Sequence, residues 1–248
     1  MDGEAVRELR DGFRSPQTIQ PGDDGFIARP DDWALVDPKS LIAPGPTAEA
    51  LKVYTLAAVR DYVVANRDGV ALEKTVIHVV SPQIVRLSGP LQERARNRET
   101  YVEATAQNLT DGFLGKFMAL DEFIVGLMTR FVNTDELKAV LRLFGTVKHE
   151  GVKTLADDGI TQTVTAKAGI ALVSEAQVPN PVTLRPFRTF REVEQPASLF
   201  VLRVNGASTG TVTAGLFEAD GGAWRIDAVE RIARWLRVEA LSTVAILA

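Results

Sequence analysis

The chain has 248 residues, of which 46% are hydrophobic and 24% charged, the usual composition of a globular protein. It contains no cysteine, which excludes disulfides and thiolate metal sites, and its net charge of −4 argues against binding to nucleic acid through overall positive charge. The N-terminus lacks the apolar core of a signal peptide and no run of about 18 apolar residues occurs, so we predict no membrane span.

Residues 1–46 differ from the rest of the chain. Six prolines fall between positions 13 and 46, and proline is disfavoured in helix interiors and central strands. The same stretch carries large apolar side chains such as Phe26, Trp33 and Leu35, which disordered linkers rarely hold. We therefore predict an extended, irregular arm that lies on a surface, either of its own domain or of a neighbouring subunit. Trp33 is a candidate contact residue in that arm.

Residues 47–248 are predicted to form a single α+β domain. Thr47 is suited to cap a helix at about 48–67, in the turn after Pro46. Short stretches rich in β-branched and aromatic residues then predict strands at 75–80, 84–89 and 99–106.

Two amphipathic helices come next and predict an αα-hairpin. The inward positions of the first helix are Leu120, Phe123, Ile124, Leu127, Met128 and Phe131. Thr134 caps the second helix, whose apolar stripe runs from Leu137 to Phe144 and ends at Gly145. Side chains at this spacing are typical of a protein core.

The remainder is mostly strand until residue 222. The strand candidates are 160–167, 169–176, 181–190, 198–204 and 211–218. A helix at 224–238, with Ile226 facing inward, and a strand at 244–248 close the chain. Because the strands cluster instead of alternating with helices, we predict an α+β fold with a largely antiparallel sheet.

Carboxylates near the end of the last long strand are the candidate metal ligands. Glu218 and Asp220 are two residues apart, so on an extended chain both point to one face. Asp157 and Asp158 could join them in space, and four carboxylates could hold Mg²⁺ for phosphodiester cleavage. The simpler interpretation, which we favour, is a polar turn whose acidic groups stabilise the start of a helix. We predict no cofactor.

Cations and aromatics alternate in one stretch, which contains Arg185, Phe187, Arg188 and Phe190. This combination can bind single-stranded nucleic acid by stacking and phosphate contacts. It can equally form a subunit interface, where arginine and aromatic residues are enriched. A third possibility is internal pairing of the arginines with Glu192, Glu194 or Glu218.

Familiar catalytic motifs are absent from the sequence. It has no phosphate-binding loop of the G-x-x-x-x-G-K-[ST] type, no dinucleotide-binding G-x-G-x-x-G and no G-x-S-x-G nucleophile turn. The two histidines, His78 and His149, are far apart and support neither a metal site nor a catalytic triad. Whether the protein is an enzyme stays open, and the sequence favours a protein without catalysis.

Three segments of the sequence are distinctive in combination: DDGITQTVTAKAGI (157–170), VPNPVTLRPFRTFREVEQPASLFVLRV (178–204) and LFEADGGAWRIDAVERIARWL (216–236). They resemble the YfdQ-like family of phage and prophage proteins, a domain of unknown function, and the resemblance is clearest over about 119–240. It implies a phage or prophage origin and a location in the bacterial cytoplasm. It implies no activity and supplies no catalytic residues.

Four functions from different classes are compatible with the sequence. The first is a non-catalytic phage protein that forms a homo-oligomer, with the arm reaching to a neighbour. The second is a nucleic-acid accessory protein of phage recombination or replication. The others are a counter-defence protein that binds a ligand, and a metal-dependent enzyme that uses Glu218 and Asp220.

Overall fold

The structure, a computed structural model, describes residues 48–92, 97–150, 180–206, 212–238 and 243–248, together with six isolated strands at 17–19, 26–28, 35–36, 152–157, 162–168 and 172–177. The chain divides into two compact units. One consists of Met1–Glu49 and Pro90–Glu99, and the other of Ala50–Gly89 and Thr100–Ala248.

The first unit contains a small antiparallel sheet. Its strands are β1 (Gln17–Ile19), β2 (Phe26–Ala28) and β3 (Leu35–Val36), and they pair in the order β1-β2-β3. The sequence predicted an extended but irregular arm, and the regular pairing of these three short strands was not foreseen. Trp33 lies outside the described residues.

From residue 50 onward, runs of strands are separated by one or two helices. They are β4 (Leu51–Val53), α1 (Leu56–Ala65), β5 (Val76–Ser81), β6 (Ile84–Leu91), β7 (Arg98–Thr105), β8 (Phe117–Ala119), α2 (Leu120–Arg130), α3 (Asp135–Glu150), β9 (Val152–Asp157), β10 (Gln162–Ala168), β11 (Leu172–Gln177), β12 (Val182–Leu184), β13 (Ser198–Gly206), β14 (Val212–Glu218), α4 (Trp224–Val238) and β15 (Ala245–Leu247). The fold is α+β, as the clustering of strands predicted.

A four-stranded antiparallel sheet, ordered β12-β13-β14-β8, packs one face against α2 and α3. Alternate residues of its strands point inward, and they meet the apolar stripes of the two helices in a first core. The aromatic rings within this core touch edge to face, with centroid distances of 5.2 Å for Phe123–Phe144 and 6.3 Å for Phe131–Phe200. The predicted αα-hairpin is thus confirmed, and most of its predicted inward positions are buried.

A five-stranded sheet, ordered β15-β5-β6-β7-β4, carries the second core together with α1 and α4. Its edge strands β15 and β4 run parallel to their neighbours β5 and β7. A third, three-stranded antiparallel sheet has the order β11-β10-β9. The sheets are therefore largely antiparallel, with parallel pairing at the two edges of the five-stranded sheet.

The first predicted helix begins later than the sequence indicated. Residues 51–53 form β4, which pairs with β7 at Leu51 and Val102, and the helix starts only at Leu56. Its cap is Thr55, whose hydroxyl accepts a hydrogen bond of 3.2 Å from the Ala58 amide. The prediction of a helix from residue 48 with Thr47 as its cap was wrong, because pairing with a strand some fifty positions away decides this segment.

Other local predictions also need correction. Strand β9 was not predicted, and α3 continues through Gly145 to Glu150. Met128 and Ile226, expected to face inward, are 64% and 69% exposed. The predicted strand 181–190 is a strand only at Val182–Leu184. In the part of the chain that the structure describes, no helix is long and apolar enough to cross a membrane.

Candidate functional site

Residues 185–197, which we call the connector, carry the alternating cations and aromatics. Leu184 lies in the first core, Phe190 and Val193 lie in the second core, and Phe200 returns to the first. The connector therefore crosses from one core to the other and back. Its cationic and aromatic residues alternate as they would in a strand, but its apolar side chains pack in the second core between flanking residues that pack in the first.

Hydrogen bonds to distant parts of the chain hold the connector in place. The Val132 amide donates to the Arg185 carbonyl at 2.8 Å, and the Phe187 amide donates to the Arg130 carbonyl at 2.9 Å. Within the connector, the buried Gln195 side chain accepts from the Arg188 amide at 3.1 Å and donates to a neighbouring carbonyl at 2.9 Å. Because these backbone groups are satisfied, the connector can be buried without regular secondary structure.

Arg188 is the central side chain of the connector and is only 1% exposed. Its guanidinium donates through Nη1 to Glu218 Oε1 and through Nη2 to Ser198 Oγ. The guanidinium carbon lies 3.7 Å from the centroid of the Trp224 ring, which places a cation over the face of the indole. A buried charge is costly unless it is paired and hydrogen-bonded, and these contacts supply the ion pair and two hydrogen bonds.

The acidic side of this cluster is formed by Glu218 and Asp220. Burial lowers the pKa of Arg188 to about 10 although both carboxylates oppose the shift, so the guanidinium stays charged at neutral pH. Burial by itself raises the pKa of Asp220. Hydrogen bonds from the Ser198 hydroxyl and the Gly222 amide, together with the charge of Arg188, outweigh the effect of burial and lower this pKa overall. We refer to Arg188, Ser198, Glu218, Asp220 and Trp224 as the Arg188 cluster.

The cost of burying polar groups is concentrated in this cluster. Among the described residues, the buried side-chain atoms without a hydrogen bond are Arg188 Nε, Asp220 Oδ2 and Trp224 Nε1. The Asp220 carboxylate does accept from the Gly222 amide at 3.0 Å through its other oxygen. The cluster therefore joins the end of β14 to the start of α4 through polar contacts that are strong but incompletely satisfied.

Of the four predicted acidic metal ligands, Glu218 and Asp220 both lie near Arg188. Glu218 forms an ion pair with Arg188, and Asp220 caps the turn before α4, so both carboxylates face a cation of the protein itself. Asp157 belongs to β9 in a different sheet, and Asp158 lies outside the described residues. Within the described ranges, no group of three or more histidines and carboxylates is close enough together to hold a metal ion.

The predicted interface residues divide into buried and partly exposed ones. Arg188 and Phe190 are buried, each 1% exposed, so neither offers a surface to a partner or to nucleic acid. Arg185 is half-buried and forms an ion pair with the exposed Glu194. The Phe187 ring is also half-buried, and its centroid lies 3.6 Å from the guanidinium carbon of Arg191.

Two of the three internal pairings weighed from the sequence are present. They are Arg188 with Glu218 and Arg185 with Glu194, whereas Glu192 accepts from the Ala57 amide at 3.2 Å. No sequence pattern indicated Gln195 or Ser198 as partners of Arg188. Trp224 was recognisable only as the first residue of the last helix, because stacking across 36 positions leaves no signature in local spacing.

A groove of about 870 Å³ runs along the outer side of α4. Its lining includes apolar side chains, among them Ile226 and Val229 of the helix and Val80 and Pro82 at the turn between β5 and β6. Three arginines and one glutamate also line it, namely Arg225, Arg234, Arg237 and Glu230. The lining side chains therefore combine apolar surface with a net positive charge.

Part of the outer face of the four-stranded sheet is also apolar, beside polar residues such as Thr183 of β12 and Arg203 of β13. Phe117 of β8 packs edge to face on Phe217 of β14, with 5.4 Å between ring centroids, and Val201 of β13 is the strand partner of Phe217. Phe117 is 47% exposed and Leu199 is 42% exposed. We call Phe117, Ala119, Leu199, Val201 and Phe217 the outer-face patch.

Comparison of the chain with protein-family models, with curated proteins and with solved structures gives no match. We therefore infer function from the side chains of the protein itself. The Arg188 cluster stabilises the fold, whereas the outer-face patch and the groove are surfaces that a partner can reach.

Proposed function

We propose that this protein is a non-catalytic phage or prophage protein that assembles with itself in the cytoplasm of a bacterial host. The observation that carries the proposal is the outer-face patch, an exposed apolar surface on a sheet whose other face is already buried. The three segments that resemble the YfdQ-like family support the phage origin.

The patch differs from what a solvated sheet face requires. An antiparallel sheet with one face in the core usually turns polar side chains to water on the other. Here two phenylalanines, a leucine and a valine lie on adjoining strands of that outer face. Contiguous apolar surface of this kind marks protein interfaces, and aromatic side chains at such surfaces often dominate the binding energy.

A second copy of the chain is the partner that this surface suits. Two identical apolar sheet faces are self-complementary when they meet across a twofold axis, which is the commonest symmetry of soluble oligomers. Full burial of a large apolar side chain contributes about 1.5–3 kcal/mol, so Phe117 and Leu199 from both copies would supply a substantial part of the binding free energy.

The alternatives have less support from the described residues. A metal-dependent enzyme would need Glu218 and Asp220 as ligands, and both are engaged by the Arg188 cluster. A nucleic-acid accessory protein would use the arginines and aromatic rings of the connector, but Arg188 and Phe190 are buried and Arg185 is paired with Glu194. A counter-defence ligand-binding protein has no residue that specifically indicates it.

The experiment is a measurement of solution mass by light scattering during size exclusion, over a wide range of protein concentration. We expect the wild-type protein to form an oligomer, and we expect Phe117→Lys and Leu199→Lys to shift it toward monomer. Val125→Lys is the matched control, because Val125 is 58% exposed on α2 and lies outside the patch. Thermal unfolding of each variant separates loss of assembly from loss of folding.

Two results would count against the proposal. A wild-type protein that stays monomeric at high concentration removes self-assembly altogether. An oligomer that is unchanged in both patch variants shows that this surface is not the interface.

A further inference from the structure

The solvent side of α4 carries a row of four exposed residues that are spaced four positions apart. They are Ile226, Glu230, Arg234 and Val238, and we call them the α4 row. Residues at this spacing are neighbours on one side of a helix. Ile226 is 69% exposed and Val238 is 76% exposed, whereas Ile232, on the opposite side of the helix, is fully buried in the second core. The row therefore presents both apolar and charged side chains to solvent.

The two charges of the α4 row are not neutralised by neighbouring side chains. Arg231, on the flank of the same helix, is paired with Asp227 at 2.8 Å and with Glu194 at 2.5 Å. Glu230 and Arg234, by contrast, form no ion pair with any residue that the structure describes, including each other. Both side chains are exposed, so one negative and one positive charge can contact a partner.

The order of residues in the α4 row is complementary to its own reverse. From the N-terminal end it reads apolar, acidic, basic, apolar, and its centre lies at residue 232. When a second copy of α4 runs in the opposite direction about that centre, Glu230 of each copy meets Arg234 of the other. Ile226 of each copy then meets Val238 of the other. Opposite charges therefore attract at two places, and apolar side chains meet at both ends.

The spacing of the α4 row also suits the packing of one helix on another. Residues four apart form a ridge, and the ridges of two helices interdigitate when the helix axes cross at about 50°, the commonest class of helix packing. An acidic residue before a basic one also favours the dipole of a single helix. The dipole does not account for the two exposed apolar residues, Ile226 and Val238, whereas contact with a second helix buries them.

We infer that α4 of one copy packs in the antiparallel direction on α4 of a second copy, over the groove that Ile226, Glu230 and Arg234 help to line. The inference rests on the proposed self-assembly and names one of its contacts. The two helices are related by a twofold axis, so each contact occurs twice. The outer-face patch contributes apolar burial, whereas the charges of the α4 row specify the direction and the register in which the helices pair.

Charge reversal in the full-length protein tests the inference. Glu230→Arg places arginine opposite arginine at both charge contacts, and Arg234→Glu places glutamate opposite glutamate. We expect each variant to raise the dissociation constant of the oligomer at least about tenfold, which corresponds to about 1.4 kcal/mol. An equimolar mixture of the two variants should restore assembly, because one copy then carries only positive charges at these positions and the other only negative ones.

The matched controls for charge reversal are Glu73→Arg and Arg67→Glu. They make the same changes in net charge at exposed positions outside α4, so we expect the dissociation constant to stay at the wild-type value. Thermal unfolding of every variant separates loss of assembly from loss of folding.

Engineered thiols identify the direction of the pairing, because the chain has no native cysteine. In a mixture of Ile226→Cys chains and Val238→Cys chains under oxidising conditions, the antiparallel pairing brings unlike thiols together. We expect the disulfide between unlike chains to exceed those between like chains. Val64→Cys in place of Val238→Cys should give little of it, since Val64 is equally exposed but lies on α1.

The outcomes separate this inference from the proposal on which it rests. An oligomer that persists unchanged in both charge variants of α4 but dissociates in the outer-face patch variants overturns the inference and leaves self-assembly standing. A wild-type monomer overturns both. Charge variants that dissociate but do not assemble when mixed, or disulfides that form mainly between like chains, overturn the antiparallel pairing. Binding of a single-stranded oligonucleotide that is lost in Arg234→Glu, with assembly unaffected, assigns this face of α4 to nucleic acid instead.

Discussion

Replacement of Arg188 by methionine probes the polar cluster that joins β14 to α4. Methionine keeps an unbranched side chain of similar length, so it fills most of the space but removes the charge and the hydrogen-bond donors. Glu218 then loses its ion pair, Ser198 loses the guanidinium donor, and the Trp224 ring loses its cation. We expect the variant to fold with a clear loss of stability.

The size of that loss follows from the contacts. Hydrogen bonds to charged groups contribute about 1.5–3 kcal/mol each, and a desolvated cation–π contact about 2 kcal/mol. Two effects reduce the total. The variant no longer buries a guanidinium with an unsatisfied Nε, and Glu218, whose side chain is 32% exposed, can recover water. We expect a net loss of about 3 kcal/mol in the free energy of unfolding.

The assay is urea unfolding followed by tryptophan fluorescence, with Arg185→Met as the control. Arg185 also pairs with a glutamate of the chain, but both partners are accessible to solvent, so its replacement should cost at most about 1 kcal/mol. A second control replaces Glu218 by glutamine alone and together with Arg188→Met, which isolates the coupling of the pair. If Arg188→Met costs no more than Arg185→Met, the contacts of the buried cluster do not stabilise the fold.

Two further predictions concern glycines and acid stability. At Gly126 of α2 a Cβ would collide with the Phe113 ring, so Gly126→Ala should lower the free energy of unfolding by about 1–3 kcal/mol. At Gly145 of α3 a Cβ would meet open space, so Gly145→Ala should raise the free energy of unfolding by about 0.5–1 kcal/mol. Chemical denaturation measures both changes. The pKa of Asp220 is lower in the folded protein than in the unfolded chain, where an aspartate has a pKa of about 3.9. Asp220 therefore contributes fully to stability at a pH above about 3.9, and this contribution is lost as the pH falls through the pKa of the folded protein. Asp220→Asn should therefore flatten the acid side of the stability profile, and an unchanged profile would contradict this.

Sequence reasoning worked best where a pattern is local and regular. The helices Leu120–Arg130 and Trp224–Val238 were predicted almost to the residue, because an apolar repeat near 3.6 residues over three or more turns is specific to an amphipathic helix. The hairpin strands between Val76 and Thr105 were equally clear from their β-branched runs. These elements determine the fold class.

The errors arose where distant parts of the chain decide the structure. The segment at Leu51 has helical spacing, yet it pairs with Val102 in the five-stranded sheet. The connector alternates like a strand, yet Leu184 and Phe190 belong to different cores. Neither fact can be read from local spacing, because both depend on contacts made across fifty or more residues or between two cores.

The candidate site shows the same division between local and distant information. The sequence identified Arg188 and both acidic residues, and it included the pairing of Arg188 with Glu218 among the alternatives, but it did not reveal that the arginine is buried under Trp224. That burial has a consequence for the surface. Asp220 and Trp224 fix the first turn of α4, and the rest of this helix carries the groove arginines. The buried cluster therefore positions the helix that lines the groove, and Arg188→Met should disturb the groove as well as lower the free energy of unfolding.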